Sequence, residues 1–369
     1  MKIFVDEILG SESLQLEQTG PNAFRAILAP SRGLPLVPNM LQFRCQGCAH
    51  HEIEIETLFS VENPRGKFDE YPHCATPDFE RFLPLEWSLP LNGARNILRV
   101  PPTGWDDFRV GMQAVYPNAL VKRHMGVWAQ HPHATHETLG TSTQGLPIHA
   151  LRVHDPDGIP RWRHWIVNQH PGEGNARWRI KGMVDDVLSD NPLAAQLRRN
   201  AEILFIPLLC PDGPANGWRR VNADGVDMNR CFRMEGPDPR AQIHEAFLLQ
   251  HRLETEKPHT LWNMHTWPGL TEPVLDNAGP ELGHATGTVE ELIALFARIG
   301  ESHLKPLRKR EKPGASTTWN GGAGQRLGMT SFLIEGGGEP AQPHPHLEAG
   351  KRLAQILAMF WGAGFPAHD

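Results

Sequence analysis

Tyrosine and cysteine are the scarcest features of this 369-residue chain, at two and five residues. Five scattered cysteines, an odd number, do not read as a disulfide framework, and a reducing, cytoplasmic compartment is the expectation. No stretch approaches the roughly 18 apolar residues of a membrane span. The amino terminus, Met1-Lys-Ile-Phe-Val-Asp-Glu7, lacks the apolar core and small-residue cleavage site of a signal peptide. Positive charge is not in excess either. Lys and Arg total 36 against 42 Asp and Glu, a formal net charge of −6, which argues against nucleic acid or a membrane surface as partner. There is no internal repeat and no low-complexity tract. What the chain does have is 33 Pro, 35 Gly and 20 His on an ordinary globular background of 40% hydrophobic and 21% charged residues. The Pro and Gly predict many loops, and the length predicts two domains. Oligomeric state is left open.

Two textures divide the sequence. Up to about residue 130, short strand-like segments (24–29, 52–60, 107–116) alternate with Pro/Gly/Asn turns, which predicts a small all-β, sandwich-like domain over 1–135. Residues 131–148 read as a loop-rich junction. From 145 to 369 strands alternate with helices. Strands are expected at 148–153, 164–168, 202–209, 259–264 and 330–335. Helices are expected at 174–189, 192–199, 238–255, 288–304 and 346–362. This pattern predicts an α/β domain whose mixed, largely parallel sheet is flanked by helices.

Polar motifs fall at or just past these strands. Trp165-Ile-Val-Asn-Gln-His170-Pro-Gly-Glu173 delivers an imidazole and a carboxylate, three residues apart, into a tight turn. That is a common pair of zinc ligands, and a catalytic zinc usually takes three protein ligands plus water. After 202–209 come Cys210-Pro-Asp-Gly213, Gly217-Trp-Arg219-Arg220 and Asp227-Met-Asn229-Arg230; after 259–264 comes His265; strand 330–335 closes with Glu335 and three glycines. In open α/β sheets ligand sites assemble at the carboxyl ends of strands, so these groups form a convergent set.

In order and spacing these elements resemble the zinc metallocarboxypeptidases, within them the cytosolic branch with an amino-terminal β-domain. The resemblance covers about 145–362. It extends more loosely to the first domain through Trp105-Asp-Asp-Phe-Arg-Val-Gly111 and His131-Pro-His-Ala-Thr-His-Glu137. It implies a hydrolase that removes a carboxyl-terminal residue from a peptide or protein tail, with one Zn2+ per site. On that reading His170, Glu173 and His265 hold the metal, and Glu335 is the general base. The oxyanion is met by Arg220, with Arg219 as fallback, and Asn229 and Arg230 grip the substrate's terminal carboxylate.

The chain departs from the family pattern where a lid tyrosine is expected before the catalytic Glu. Its only tyrosines are Tyr71 and Tyr116, in the first domain, and Trp319 or Thr318 are the substitutes at hand. Arg326 or the basic run 305–312 could favour acidic substrates, the plainer reading of the run being a solvated helix end and loop. Cys45-x-x-Cys48 with His50, His51, His73 and Cys74 has some of the makings of a structural zinc site, against the plainer reading of small buried thiols. Cys210 and Cys231 read as packing, and the eleven Trp as core or interface, Trp218 and Trp267 being the candidates for pocket walls. His131, His133 and His136 read as surface or interface groups at the junction. An N-acyl amino acid deacylase of the aspartoacylase/succinylglutamate-desuccinylase type shares the metal arrangement but usually adds a carboxyl-terminal β-domain. A non-catalytic carboxylate-binding module would be expected to have lost a ligand or the base, and the sequence keeps all of them.

Overall fold

The structure is a computed structural model that describes residues 1–60, 71–87, 95–232, 244–266, 274–278, 305–309, 318–336 and 340–362, together with helical residues 291, 292, 294, 295 and 298. Its first eleven strands are β1 (Lys2–Phe4), β2 (Gln15–Gln18), β3 (Ala23–Leu28), β4 (Pro30–Ser31), β5 (Leu34–Pro38), β6 (Phe43–Gln46), β7 (Ile53–Phe59), β8 (His73–Thr76), β9 (Leu83–Trp87), β10 (Arg95–Val100) and β11 (Asp107–Met112). In β3 and β7 every second residue is buried, the period of a strand with one covered face. The inward residues Phe24, Ala26, Leu28, Ile53, Ile55 and Phe59 join Phe43, Leu98, Phe108 and Val110 in one core. Nine strands form a single sheet in the order β1-β6-β11-β8-β9-β10-β7-β3-β2, and β4 pairs with β5 beside it.

The second half follows with α1 (Asn118–Trp128), β12 (Ala134–Thr141), β13 (Pro147–Val153), β14 (Trp162–Val167), α2 (Gly174–Val187), α3 (Pro192–Asn200), β15 (Ala201–Ile206), α4 (Asp212–Asn216), α5 (His244–Glu256), β16 (Thr260–Met264), β17 (Val274–Ala278), β18 (Lys305–Lys309), α6 (Trp319–Leu327), β19 (Thr330–Glu335) and α7 (Pro343–Leu357). A turn of π-helix, Ala358–Gly362, closes the described chain. The eight-stranded sheet runs β12-β13-β15-β14-β16-β19-β17-β18. Its centre, β15-β14-β16-β19, is parallel, while β13 meets β15 and β17 meets β19 antiparallel. The expected mixed α/β sheet is what the chain forms.

One expectation is overturned. Residues 131–148 are not a loop junction: β12 lies within them and pairs with β13 over most of its length. Helix α1 buries Leu120, Val121, Met125 and Trp128 in the same core as the second sheet, so the change from one sheet to the other comes just after β11. The basic run is also not a helix end, since 305–309 is strand β18, paired parallel with β17. The expected helix at 288–304 lies outside the described residues apart from the five helical positions named above, as does the start of the helix expected at 238–255. No helix among the described residues is long and apolar enough to cross a membrane.

The sheet separates two cores. Trp262, Met264, Phe332 and Ile334 face the side covered by α2 and α7, while Trp165, Val167 and Leu261 face α5 and α6. Helices α2 and α7 cross at glycines. A methyl on Gly350 would lie 2.0 Å from the Arg179 carbonyl oxygen, and one on Gly182 would lie 2.1 Å from that of Leu347. Gly350→Ala is therefore expected to lower stability by about 1–3 kcal/mol, as overpacking does. Urea titration would show it, and an unchanged midpoint would mean that the crossing has slack.

Candidate metal centre and active site

Strand β14 is the switch point of the parallel sheet. The chain leaves it for β15 on one side and then returns to β16 on the other, so the connections part at its carboxyl end and leave a crevice there. The loop after β14 carries His170 and Glu173, and His265 follows β16. The His170 Nδ1 lies 2.7 Å from Glu173 Oε1, and the His265 Nδ1 lies 2.9 Å from Glu173 Oε2. The two Nδ1 atoms are 3.1 Å apart. All three groups are buried, and their ligand atoms lie within 4.8 Å of one another. Among the described residues this is the one group of three or more such side chains placed to hold a metal.

The surroundings settle which imidazole nitrogen faces inward. The His170 Nε2 lies 3.1 Å from Asp227 Oδ1, an acceptor that favours a proton on Nε2 and so leaves Nδ1 as the nitrogen that would meet a metal. The other Asp227 oxygen accepts from Arg220 Nε at 2.9 Å. Two imidazole nitrogens and a carboxylate converging in a buried site, with one ring oriented by a carboxylate at its far nitrogen, fit a zinc ion. These three residues would hold it.

Burial and the Arg220 guanidinium push the His170 imidazole down, but the carboxylates of Glu173 and Asp227 outweigh them and hold its pKa above the usual value. Glu173 sits well below the carboxylate range: burial raises it, yet the imidazoles of His265 and His170 pull harder. Asp227 is likewise far below, against its burial, through His170 and Arg220. A raised imidazole pKa means that a proton competes for the same nitrogen as the metal over a wider range. Zinc affinity is thus expected to start falling at a higher pH than for an ordinary imidazole site. Chelator competition across mildly acidic to neutral pH would measure this, and a flat profile would contradict it.

Glu335 closes β19, the strand beside β16. Burial lifts its carboxyl above the ordinary range; the Glu173 carboxylate adds to this, while His265 pulls the other way. Arg219 is buried and lies elsewhere than Arg220. Its backbone oxygen accepts from Gly172 N at 3.0 Å, and its guanidinium sits 4.4 Å from the centre of the Tyr71 ring, which comes from the first half of the chain. A side chain at Gly172 would collide with Arg219, so the glycine between the two ligands makes that packing possible. Asn229 is buried and accepts from Trp319 N at 3.2 Å, whereas Arg230 is exposed, its Nη1 donating to the Asn229 carbonyl at 2.7 Å. The structure thus gathers His170, Glu173, His265 and Asp227 tightly, links Arg220 through Asp227, and leaves Arg230 at the rim.

Several other expectations do not hold. Trp319 is no lid: it is fully buried, with Nε1 donating to the Met228 carbonyl at 2.6 Å, and Thr318 caps helix α6. Trp218 is no pocket wall: it is fully buried and donates from Nε1 to Glu12 Oε2 at 2.7 Å. Trp267 and the side chain of Arg326 lie outside the described residues. The Cys45/Cys48 region forms no metal cluster among the described residues. Cys45, Cys48 and Cys74 are buried, and the Cys74 thiol donates to the Gln113 carbonyl at 2.9 Å. Cys210 and Cys231 are buried core residues. His136 and His149 contact each other at 2.9 Å at the edge of the second sheet.

Two features were missed. Asp227 stood inside the motif but was given no role, although an aspartate two residues before Asn229 in a glycine-rich loop could have suggested one. The other is the grip of the loops between the first strands on helix α4 and Gly217, which lead into the arginine loop. Met40 N donates to Gly217 O and Glu12 N to Asn216 O, both at 2.7 Å, and Gln42 reaches Pro214 O at 3.2 Å. No local pattern announces contacts of such long range.

Residues 124–258 match the zinc carboxypeptidase family model, a stretch holding His170, Glu173 and the arginine loop but ending before His265. Human cytosolic carboxypeptidase 1 is 41% identical over 83 residues, 22% of this chain and 7% of that protein's length. Human cytosolic carboxypeptidase 4 is 46% identical over 86 residues, 23% of this chain and 8% of its own. The chain therefore spans only a small part of the curated relatives it matches. The fold extends much further. A metallo-carboxypeptidase from Burkholderia cenocepacia superposes with a TM-score of 0.79 over 97% of both chains at 18% identity. One from Pseudomonas aeruginosa, in complex with (2-guanidinoethylmercapto)succinic acid, gives 0.78 over 97% and 98% at 20% identity.

Proposed function

We propose that this protein is a zinc-dependent carboxypeptidase that releases the carboxyl-terminal residue of peptides or protein tails. The observation that carries the reading is the convergence of His170, Glu173 and His265 at the sheet crevice, with Glu335 ending the adjacent strand. When bound, zinc supplies a Lewis acid that polarises the scissile carbonyl and acidifies water. The chain's own groups do the rest. Glu335 takes the water proton on its carboxylate and returns it to the leaving amine; its raised pKa suits a group that must both accept and give up a proton. Arg220, held by Asp227, presents a fixed positive charge to the oxyanion. Asn229 and Arg230 receive the terminal carboxylate, Arg230 swinging from its exposed position to do so. Arg219 is committed to Tyr71 and Gly172, which supports Arg220 over it as the oxyanion group.

The first sheet is read as a β-domain that buttresses the arginine loop, and the catalytic unit as starting just past β11. Five free, buried cysteines are in keeping with a cytoplasmic location.

The test is amino-acid release from peptides with varied terminal residues, with and without a zinc chelator. Release that the chelator abolishes is the expected result. Hydrolysis of N-acyl amino acids without release from any peptide would overturn the reading in favour of a deacylase.

A further inference from the structure

The two imidazoles of the cluster are held in different ways. The His170 ring is oriented by Asp227. The Nε2 of His265 is buried with no hydrogen-bond partner among the described residues, so beyond the contact of its Nδ1 with Glu173 its aim rests on its backbone. The ladder between β16 and β19 pairs its last residues at Met264 and Ile334, and a final bond runs from His265 N to Ile334 O at 2.8 Å. Past that point the carbonyls of His265 and Gly336 both accept from one side chain. Arg179 Nη1 donates to the first at 3.2 Å and Nη2 to the second at 3.0 Å.

Arg179 lies on α2 and is fully buried. Among the described residues its hydrogen bonds go to carbonyls, not to a carboxylate, and burying a guanidinium on those terms is costly. Burial lowers its pKa to about 10, so it stays charged at neutral pH. Gly336 has φ +97°, a conformation most residues avoid, and the chain adopts it directly after Glu335. The fork thus pins the carbonyl next to the proposed base and, with its other arm, the carbonyl of the proposed ligand. Gly350 lets α7 come close to the Arg179 backbone, which seats the fork from behind.

We propose that Arg179 is a positioning residue, a guanidinium bridge between the strand end bearing His265 and the strand end bearing Glu335 that sets the separation of ligand and base. This rests on the metal-ligand and base roles read above. A lysine keeps the charge but is a point donor that does not span two carbonyls in a fixed fork. Arg179→Lys and Arg179→Met are compared with the parent in the zinc-loaded protein by zinc release to a chelator and by kcat and KM on a peptide substrate. Both are expected to release zinc faster and to lose kcat, by about 10- to 100-fold, the usual scale for outer-shell partners of a metal site. KM should be unchanged. Where the methionine variant does not fold, the lysine variant carries the test. Parental zinc release and kcat in Arg179→Lys would overturn the proposal, and so would a loss of thermal stability alone. If the parent cleaved no peptide, the carboxypeptidase reading would fall while zinc release still tested the bridge.

Discussion

Glu335→Gln is expected to keep zinc and to lose about 10²- to 10⁴-fold in kcat, the range that general acid–base catalysis supplies. Glutamine matches the shape of the side chain but accepts no proton at neutral pH. Glu335 is no member of the triad, so metal content should match the parent. Stability should not suffer either. The folded protein raises the pKa of this carboxyl, meaning that the charged form is disfavoured on folding, and the penalty is felt once pH climbs above the unfolded value. A neutral glutamine escapes it, so the unfolding midpoint of the metal-free variant should equal or exceed that of the parent. Near-full activity in Glu335→Gln would sink the base assignment, whereas lost activity with lost zinc would point to a structural role instead.

The second large effect is expected from His265→Ala. Losing a ligand should cost more in zinc affinity than the about 10- to 100-fold typical of losing a ligand's hydrogen-bond partner. Peptide release should fall in proportion to the zinc lost, and excess zinc should restore part of it. A signature in the metal-free protein tells this apart from general damage. Glu173 has a depressed pKa, with His265 its largest opposing partner against burial. Such a group contributes stability above its unfolded pKa, and that contribution is lost as pH falls through the folded pKa. With His265 gone the folded pKa rises, so less of this contribution remains and it is used up at a higher pH on acidification. Acid titration followed by circular dichroism measures the shift. Parental zinc affinity in His265→Ala would remove this residue from the site.

Much of the second half was legible because its strands are apolar runs that stop at polar turns. β14, β16 and β19 each lie at or within two residues of their expected bounds, and β15 ends three residues early, at Ile206. β12 was not legible for a matching reason. Along Ala134–Thr141 no residue is fully buried, as befits an edge strand, and its sequence therefore carries no alternation of apolar and polar residues to read. The lid question was misread in the same way. Trp319 looked like a spare aromatic before the base, and only the packing of α6 against Phe232 and Met228 shows it committed to the core. Tyr71, set aside for lying in the first half, proves to stack on Arg219 beside the ligand loop.

By itself the sequence determined the local chemistry: a His and a Glu three residues apart in a Pro-Gly turn, an arginine loop, and strands ending in His265 and Glu335. Those facts need only the neighbours along the chain. That His265 meets His170 across 95 positions, that Asp227 serves His170 and Arg220 with its two oxygens, and that Arg179 bridges two strand ends were decided by the tertiary structure alone. The physical reason is that strand order, not sequence distance, sets which strand ends are adjacent. The carbonyls past the last rung of a ladder take whatever donor the packed helix brings to them.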